Sequence, residues 1–95
     1  MRIVWSAPAS EDRDAIFDYI EADNPTAAIR VDDRIREQTF NLTKFPEIGR
    51  PGRAEGMREL VILRPPFVVA YRVVENTVIV LRILHGAQQW PERLE

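Results

Sequence analysis

The chain has 95 residues and contains no cysteine and only one histidine, His85. Without thiols it can form neither disulfide bonds nor cysteine-based zinc sites. A single histidine also argues against a histidine-rich metal centre. The uninterrupted apolar runs are far shorter than the roughly 20 residues that a membrane-spanning helix needs. We therefore expect no metal, no cofactor and no membrane span.

No secretory signal is expected either, because residues 1–20 lack a charged segment followed by an apolar stretch and a small-residue cleavage site. The expected location is therefore the cytoplasm. A length of 95 residues suits a single domain over residues 1–95. Hydrophobic residues make up 45% and charged residues 29%, which is ordinary for a folded globular domain and excludes a disordered chain.

Lysine is nearly absent, since 12 of the 13 basic residues are arginine and the other is Lys44. Acidic residues prevail in the first 48 positions, and arginine prevails from Arg50 onward. Two interpretations of this asymmetry stay open. The two parts can form solvated faces of unequal charge, or the arginine-rich part can offer a basic face to an acidic partner or to nucleic acid.

A short apolar strand over residues 2–5 precedes a first predicted helix. Ser6 is placed to cap this helix, and Pro8 fits its first turn. Apolar side chains at helical spacing carry the helix to about Ala22: they are Ala9, Ile16, Tyr19 and Ile20.

A second helix is predicted to start at Pro25, with Asn24 as its cap, and to end before Pro46. Its apolar stripe consists of Ala28, Val31, Ile35, Thr39 and Leu42. Ile29 and Phe40 fall roughly opposite that stripe. This second apolar strip either meets the sheet or forms surface for a partner.

The rest of the chain is predicted to be a sheet. Residues 46–56 are rich in proline and glycine and read as a loop. Three runs rich in valine and isoleucine, residues 57–63, 67–74 and 77–84, read as strands, with a tight turn at Glu75-Asn76. The predicted order is β-α-α-β-β-β. This is an α+β fold in which a helical hairpin packs on one face of a small, mostly antiparallel sheet.

Arginines inside the apolar strands are the most informative polar residues. Arg72 and Arg82 each lie in mid-strand, and a buried arginine needs water, a carboxylate or a ligand. They either form salt bridges to the acids of the helices or recognise an anion or acidic peptide. His85 is either a general acid or base or a structural residue at a strand end.

Several segments, in this order, resemble the RelE/ParE superfamily of bacterial toxins, closer to its ParE-like branch. They include Ile3-Val4-Trp5-Ser6, Phe45-Pro46-Glu47-Ile48-Gly49-Arg50, residues 67–73 and Ile83-Leu84-His85-Gly86. The resemblance implies the toxin of a type II toxin–antitoxin module. It also implies neutralisation by a cognate antitoxin, ParD-like or RelB-like.

The resemblance implies two possible activities. ParE-like toxins inhibit DNA gyrase, whereas RelE-like toxins cut mRNA on the ribosome with basic residues of the sheet. Alignment places those basic positions on Leu60, Ile62 and Val68, which cannot stabilise phosphoryl-transfer charge. The expectation is therefore a gyrase inhibitor without catalytic residues. The alternative is an mRNA endonuclease with a non-standard set, His85 and Arg82, and a third possibility is a member that only binds antitoxin.

Contacts with partners follow from the same resemblance. The antitoxin is expected to bring a helix and an acidic extended segment to the apolar strip and the arginines. The residues expected to bind it are Phe17, Ile29, Phe40, Arg58, Arg64, Arg72 and Arg82. The residues expected to contact the target, whether gyrase or the ribosome with its mRNA, are Gln88 and Trp90.

Overall fold

The computed structural model describes residues 1–63 and 66–86. Its elements in chain order are β1 (Arg2–Trp5), α1 (Ala7–Glu21), α2 (Pro25–Phe40), β2 (Arg50–Pro51), β3 (Met57–Ile62), β4 (Phe67–Val74) and β5 (Thr77–His85). The two helices pack on a mostly antiparallel sheet, which confirms the predicted α+β class. None of the helices in these two ranges is long and apolar enough to cross a membrane.

Both helices begin at the predicted caps. The Ser6 side chain accepts a hydrogen bond from the Ala9 N–H at 3.1 Å, and the Asn24 side chain accepts one from the Ala27 N–H at 3.1 Å. These bonds satisfy donors that the first helical turn leaves unpaired. The second helix ends at Phe40 and gives way to a short 3₁₀ turn, Asn41–Thr43, several residues before Pro46.

The strands form one sheet in the order β1-β5-β4-β3-β2. β1 runs parallel to β5, and every other neighbouring pair is antiparallel. The prediction of a loop throughout residues 46–56 was wrong at β2, a two-residue strand too short to show a periodic pattern. Between β4 and β5, Glu75 and Asn76 have φ values of 47° and 60° and form the predicted tight turn.

The core lies between the helices and one face of the sheet. Ile35 and Leu42 are buried against Tyr71, Val80 and Ile83 of the strands. The stripe predicted on the second helix is thus confirmed, although its residue Val31 is only partly buried. In α1 the buried stripe is narrower than the spacing indicated, because Tyr19, predicted as part of it, is 84% exposed.

Candidate functional site

The second apolar strip of α2 faces solvent. Ile29 is 55% exposed and Phe40 is 54% exposed. The alternative in which this strip is buried against the sheet is therefore wrong. Two large apolar side chains are left on the outer face of the hairpin, where a partner can cover them.

Phe17 lies in a groove of about 610 Å³ that is also lined by Trp5, Arg13 and Asp32. The Arg13 guanidinium sits 5.1 Å from the centroid of the Trp5 ring and makes two hydrogen bonds to Asp32, at 2.7 and 2.9 Å. The hydrogen bond to Asp32 raises the pKa of Arg13. This ion pair ties α1 to α2 along the groove.

Arg82 reaches from β5 to α1. Its Nε donates to Asp12 Oδ2 at 2.6 Å and its Nη2 to Asp12 Oδ1 at 3.0 Å. The Ile83 N–H donates to the same carboxylate at 3.0 Å. The hydrogen bond that Arg82 donates to Asp12 raises the pKa of Arg82. Arg82 thus takes the first of the two roles open to a mid-strand arginine, a salt bridge to an acid of a helix. Its contact with an antitoxin remains a prediction.

The register of the sheet explains where Arg82 lies. Ala70 pairs with Arg82 while Tyr71 pairs with Val80, so Leu81 is an extra residue in β5. Such a bulge bends the strand and re-aims the side chains next to it. It occurs where β1 has ended, since β1 pairs only as far as Trp5 with Val80.

Arg58 and Arg72 hold the segment that leads into β3. The Arg58 Nη1 donates to the carbonyl of Gly49 at 2.7 Å and to that of Glu47 at 3.2 Å. The Arg72 Nη1 donates to the Glu55 carbonyl at 3.0 Å. Both arginines therefore have an internal role besides any role in binding. The other predicted contacts, Arg64, Gln88 and Trp90, lie outside the described residues.

Sequence reasoning did not single out Tyr71. Its side chain is fully buried, and its hydroxyl donates to the Pro46 carbonyl at 2.7 Å while accepting from the Gly49 N–H at 3.0 Å. Burial raises the pKa of Tyr71 above its ordinary value. A Cβ at Gly49 would lie 2.5 Å from the hydroxyl, so this close approach requires glycine.

Glu59 was also missed. It is 4% exposed, and its Oε1 accepts from Arg50 at 3.0 and 3.2 Å while its Oε2 lies 3.7 Å from the Arg53 Nε. A signal was present, because a charged residue in an apolar strand needs a partner, the argument applied to Arg72 and Arg82.

His85 lies at the end of β5 beside a second groove of about 510 Å³ between α1 and the sheet. Its ring meets Phe67 edge-on, with centroids 5.5 Å apart. Tyr19 and Asp12 line the same groove. The structure therefore brings His85 close to the carboxylate that holds Arg82, so both residues of the alternative catalytic set lie at one end of β5.

The sheet positions assigned to the basic residues of a nuclease are apolar and inaccessible. Leu60 is 9% exposed, Ile62 is 3% exposed and Val68 is 6% exposed. Leu60 and Ile62 belong to the core beneath the helices. No charged group can act on a substrate from these three positions.

Comparison with known proteins relates this arrangement to a toxin family. Residues 3–90 match the family described as the ParE toxin of the type II toxin–antitoxin system, parDE. The protein Y4kP of Sinorhizobium fredii is 42% identical over 93 residues, covering 98% of this chain and 96% of that protein. Toxin RelE2 of Caulobacter vibrioides is 39% identical over 87 residues, covering 92% of this chain and 97% of that one.

Two solved structures share the fold. The chromosomal ParDE toxin–antitoxin system from P. aeruginosa contains a chain with a TM-score of 0.81 and 32% identity, and the match covers 90% of this chain and 95% of that chain. The RelBE2 toxin–antitoxin complex from Mycobacterium tuberculosis gives a TM-score of 0.65 at 23% identity, covering 88% and 95%. At that identity the second likeness concerns the fold alone.

Proposed function

This chain belongs to the family of ParE toxins of type II toxin–antitoxin systems, and we propose that it inhibits DNA gyrase and is neutralised by a cognate antitoxin. The toxin acts in this proposal as a binding protein. It blocks its target by occupying it, without making or breaking a covalent bond.

The burial of Leu60, Ile62 and Val68 carries the choice of gyrase over the ribosome. Cleavage of RNA needs donors aimed at the reacting phosphate and a group that moves a proton. These three buried apolar side chains supply neither. A toxin that works by binding has no such requirement, so its activity does not depend on charged groups at these three positions.

Two arginines of the described sheet half support the same proposal. Arg82 is held by Asp12, and Arg58 by two backbone carbonyls. Guanidinium groups committed to internal acceptors hold the fold and shape its surface. Redirecting them to a phosphate would leave a carboxylate or carbonyls behind without their donors.

An antitoxin fits the exposed features of the hairpin. Ile29 and Phe40 offer apolar anchors along α2, in the way that a groove or strip receives an amphipathic helix. Phe17 lines the neighbouring groove. The arginines at the rim add mainly to the rate of association with an acidic segment. The related P. aeruginosa chain comes from a ParDE system, which supports an antitoxin of the ParD type here.

The test is expression of the toxin without antitoxin, followed by the DNA damage response and the rate of translation. We expect early induction of the damage response while mRNA stays intact, and loss of supercoiling activity when the purified toxin is added to gyrase. His85→Ala is the matched variant and should keep its toxicity as long as it folds. Rapid loss of translation with mRNA cleavage that His85→Ala abolishes would overturn the proposal.

The second candidate is a ribosome-dependent mRNA endonuclease. One observation favours it: the exposed His85 shares a groove with Tyr19 and with Asp12, the partner of Arg82. An imidazole can move protons near neutral pH, and a guanidinium can stabilise a phosphate. In this structure Arg82 is already paired, so the nuclease would require Asp12 to release it.

A further inference from the structure

Residues 45–53, here called the pinned loop, are fixed from inside by the sheet. The Tyr71 hydroxyl bridges the Pro46 carbonyl and the Gly49 N–H. Arg58 holds the carbonyls of Glu47 and Gly49. Surface loops are usually more mobile than the elements they connect. These bonds come from the neighbouring strands β3 and β4, so they keep the pinned loop in one conformation.

The outward side of the pinned loop is apolar at its start. Phe45 is 58% exposed and Ile48 is 53% exposed. The Phe45 N–H donates to the Asn41 carbonyl at 2.9 Å and the Ile48 N–H to the Phe45 carbonyl at 3.3 Å, which ties both residues to the end of α2. Phe40, at that end, is also exposed. Large apolar side chains clustered on a rigid surface are typical of interaction sites.

The far end of the pinned loop is basic. Arg50 and Arg53 share the single carboxylate of Glu59 and remain 59% and 58% exposed, while the carboxylate itself is only 5% exposed. Over residues 44–59, four cations face three carboxylates, which leaves a net charge of +1: the groups are Lys44, Arg50, Arg53 and Arg58 against Glu47, Glu55 and Glu59. The charge complement of this surface is acidic.

We propose that the pinned loop is a preformed docking surface for an acidic amphipathic segment of the antitoxin, an inference that rests on the proposed function. Phe45 and Ile48 receive the apolar side chains of that segment, and Arg50 and Arg53 receive its carboxylates. Because the loop is already ordered, binding does not carry the entropic cost of ordering it. Tyr71 is a positioning residue, since it is fully buried and acts only through the loop.

The test measures association and dissociation rates between the full toxin and its purified cognate antitoxin. The double variant Phe45→Ala with Ile48→Ala should weaken affinity at least tenfold, mainly through faster dissociation. Arg53→Gln should slow association severalfold and reduce its dependence on salt. The control is Val4→Ala, which removes exposed apolar atoms from β1 at the opposite edge of the sheet and should leave both rates unchanged.

Tyr71→Phe tests the positioning role. It removes no exposed atom, yet it should weaken antitoxin binding severalfold and speed hydrogen exchange at the amides of Ile48 and Gly49. Added to the double variant Phe45→Ala with Ile48→Ala, it should cause almost no further loss, because both changes act through the same loop. An equal loss in both backgrounds would show that Tyr71 acts through general stability and would overturn its assigned role.

Two results separate this inference from the proposed function. If the wild-type toxin does not bind the antitoxin, both are overturned. If the wild type binds, and the double variant binds as tightly, the pinned loop is not a docking surface while the pairing with antitoxin stands. A loss caused by Phe40→Ala alone, without any effect of the loop variants, would likewise confine the contact to the helical strip and overturn the inference.

Discussion

Asp12 and Glu59 each hold arginine, but they do so in opposite ways. The side chains of Asp12 and Arg82 are 16% and 22% exposed, so both partners are largely shielded from water. The Glu59 side chain is 5% exposed, whereas those of its partners Arg50 and Arg53 are 59% and 58% exposed. We call Asp12 and Arg82 the closed pair, because both side chains are shielded. We call Glu59 with Arg50 and Arg53 the open pair, because its cations are exposed to water.

This difference indicates that one of the two arginine sites serves stability and the other serves binding. In a closed pair, removal of one partner strands the other where water reaches it poorly, and the cost is high. In an open pair the arginines stay hydrated, so the fold depends on them less. The joint between α1 and β5 therefore serves stability, while the surface beside β2 keeps cations available to a partner.

The largest effect is expected at the closed pair. Asp12→Asn keeps the size of the side chain but removes the charge that faces Arg82, and it weakens the acceptor of the Ile83 N–H. We expect the free energy of unfolding to fall by about 3 kcal/mol. Urea denaturation measures it. The control Asp14→Asn lies on the same helix, is exposed, and should change stability by less than about 0.5 kcal/mol. Equal losses from both variants would contradict a closed pair.

An intermediate effect is expected where the pinned loop meets the sheet. Tyr71→Phe leaves the Pro46 carbonyl and the Gly49 N–H without their partner and should cost about 1–2 kcal/mol. The ring stays in the core, so the fold should survive. Urea denaturation at neutral pH measures the loss, and Tyr19→Phe, at an exposed position, should be neutral.

The same residue predicts a pH dependence. Burial raises the pKa of Tyr71 in the folded state above the ordinary value of about 10. As the pH rises past about 10, the unfolded chain loses its proton first, so the stabilisation, complete below that pH, is lost as the pH approaches the folded pKa. Unfolding free energies from pH 9 to 11 should fall more steeply for the wild type than for Tyr71→Phe. Parallel curves would contradict this.

The helices, the three long strands and the turn at Glu75-Asn76 could be predicted because local signals determine them. Caps, proline positions and apolar spacing act within a few residues. For Arg82 the sequence left two kinds of partner open, an acid of the helices or an external anion or acidic peptide. It could not choose Asp12, because that choice depends on where β1 ends and on the bulge at Leu81.

The pinned loop was beyond sequence reasoning for a related reason. Tyr71 lies 22 residues from Gly49, and nothing local indicates that its hydroxyl returns to that backbone. A tyrosine in an apolar strand reads as an ordinary core residue. The exposure of Phe40 was one of two open alternatives for the same reason, since a helical pattern places a residue on a face without saying what covers that face.

The smallest effect is expected at the open pair. Glu59→Gln preserves the shape of the side chain and an oxygen acceptor for Arg50, and it also removes the cost of burying a carboxylate. Arg50 and Arg53 remain hydrated. The free energy of unfolding should therefore change by less than about 1 kcal/mol, and the difference from wild type should shrink further in 1 M salt, where exposed charges are screened. Denaturation of Glu59→Gln, measured in parallel with Asp12→Asn, gives the matched comparison of the two sites. A loss at Glu59 as large as the loss at Asp12 would mean that both arginine sites serve stability, and the cations of the pinned loop would no longer be available to a partner.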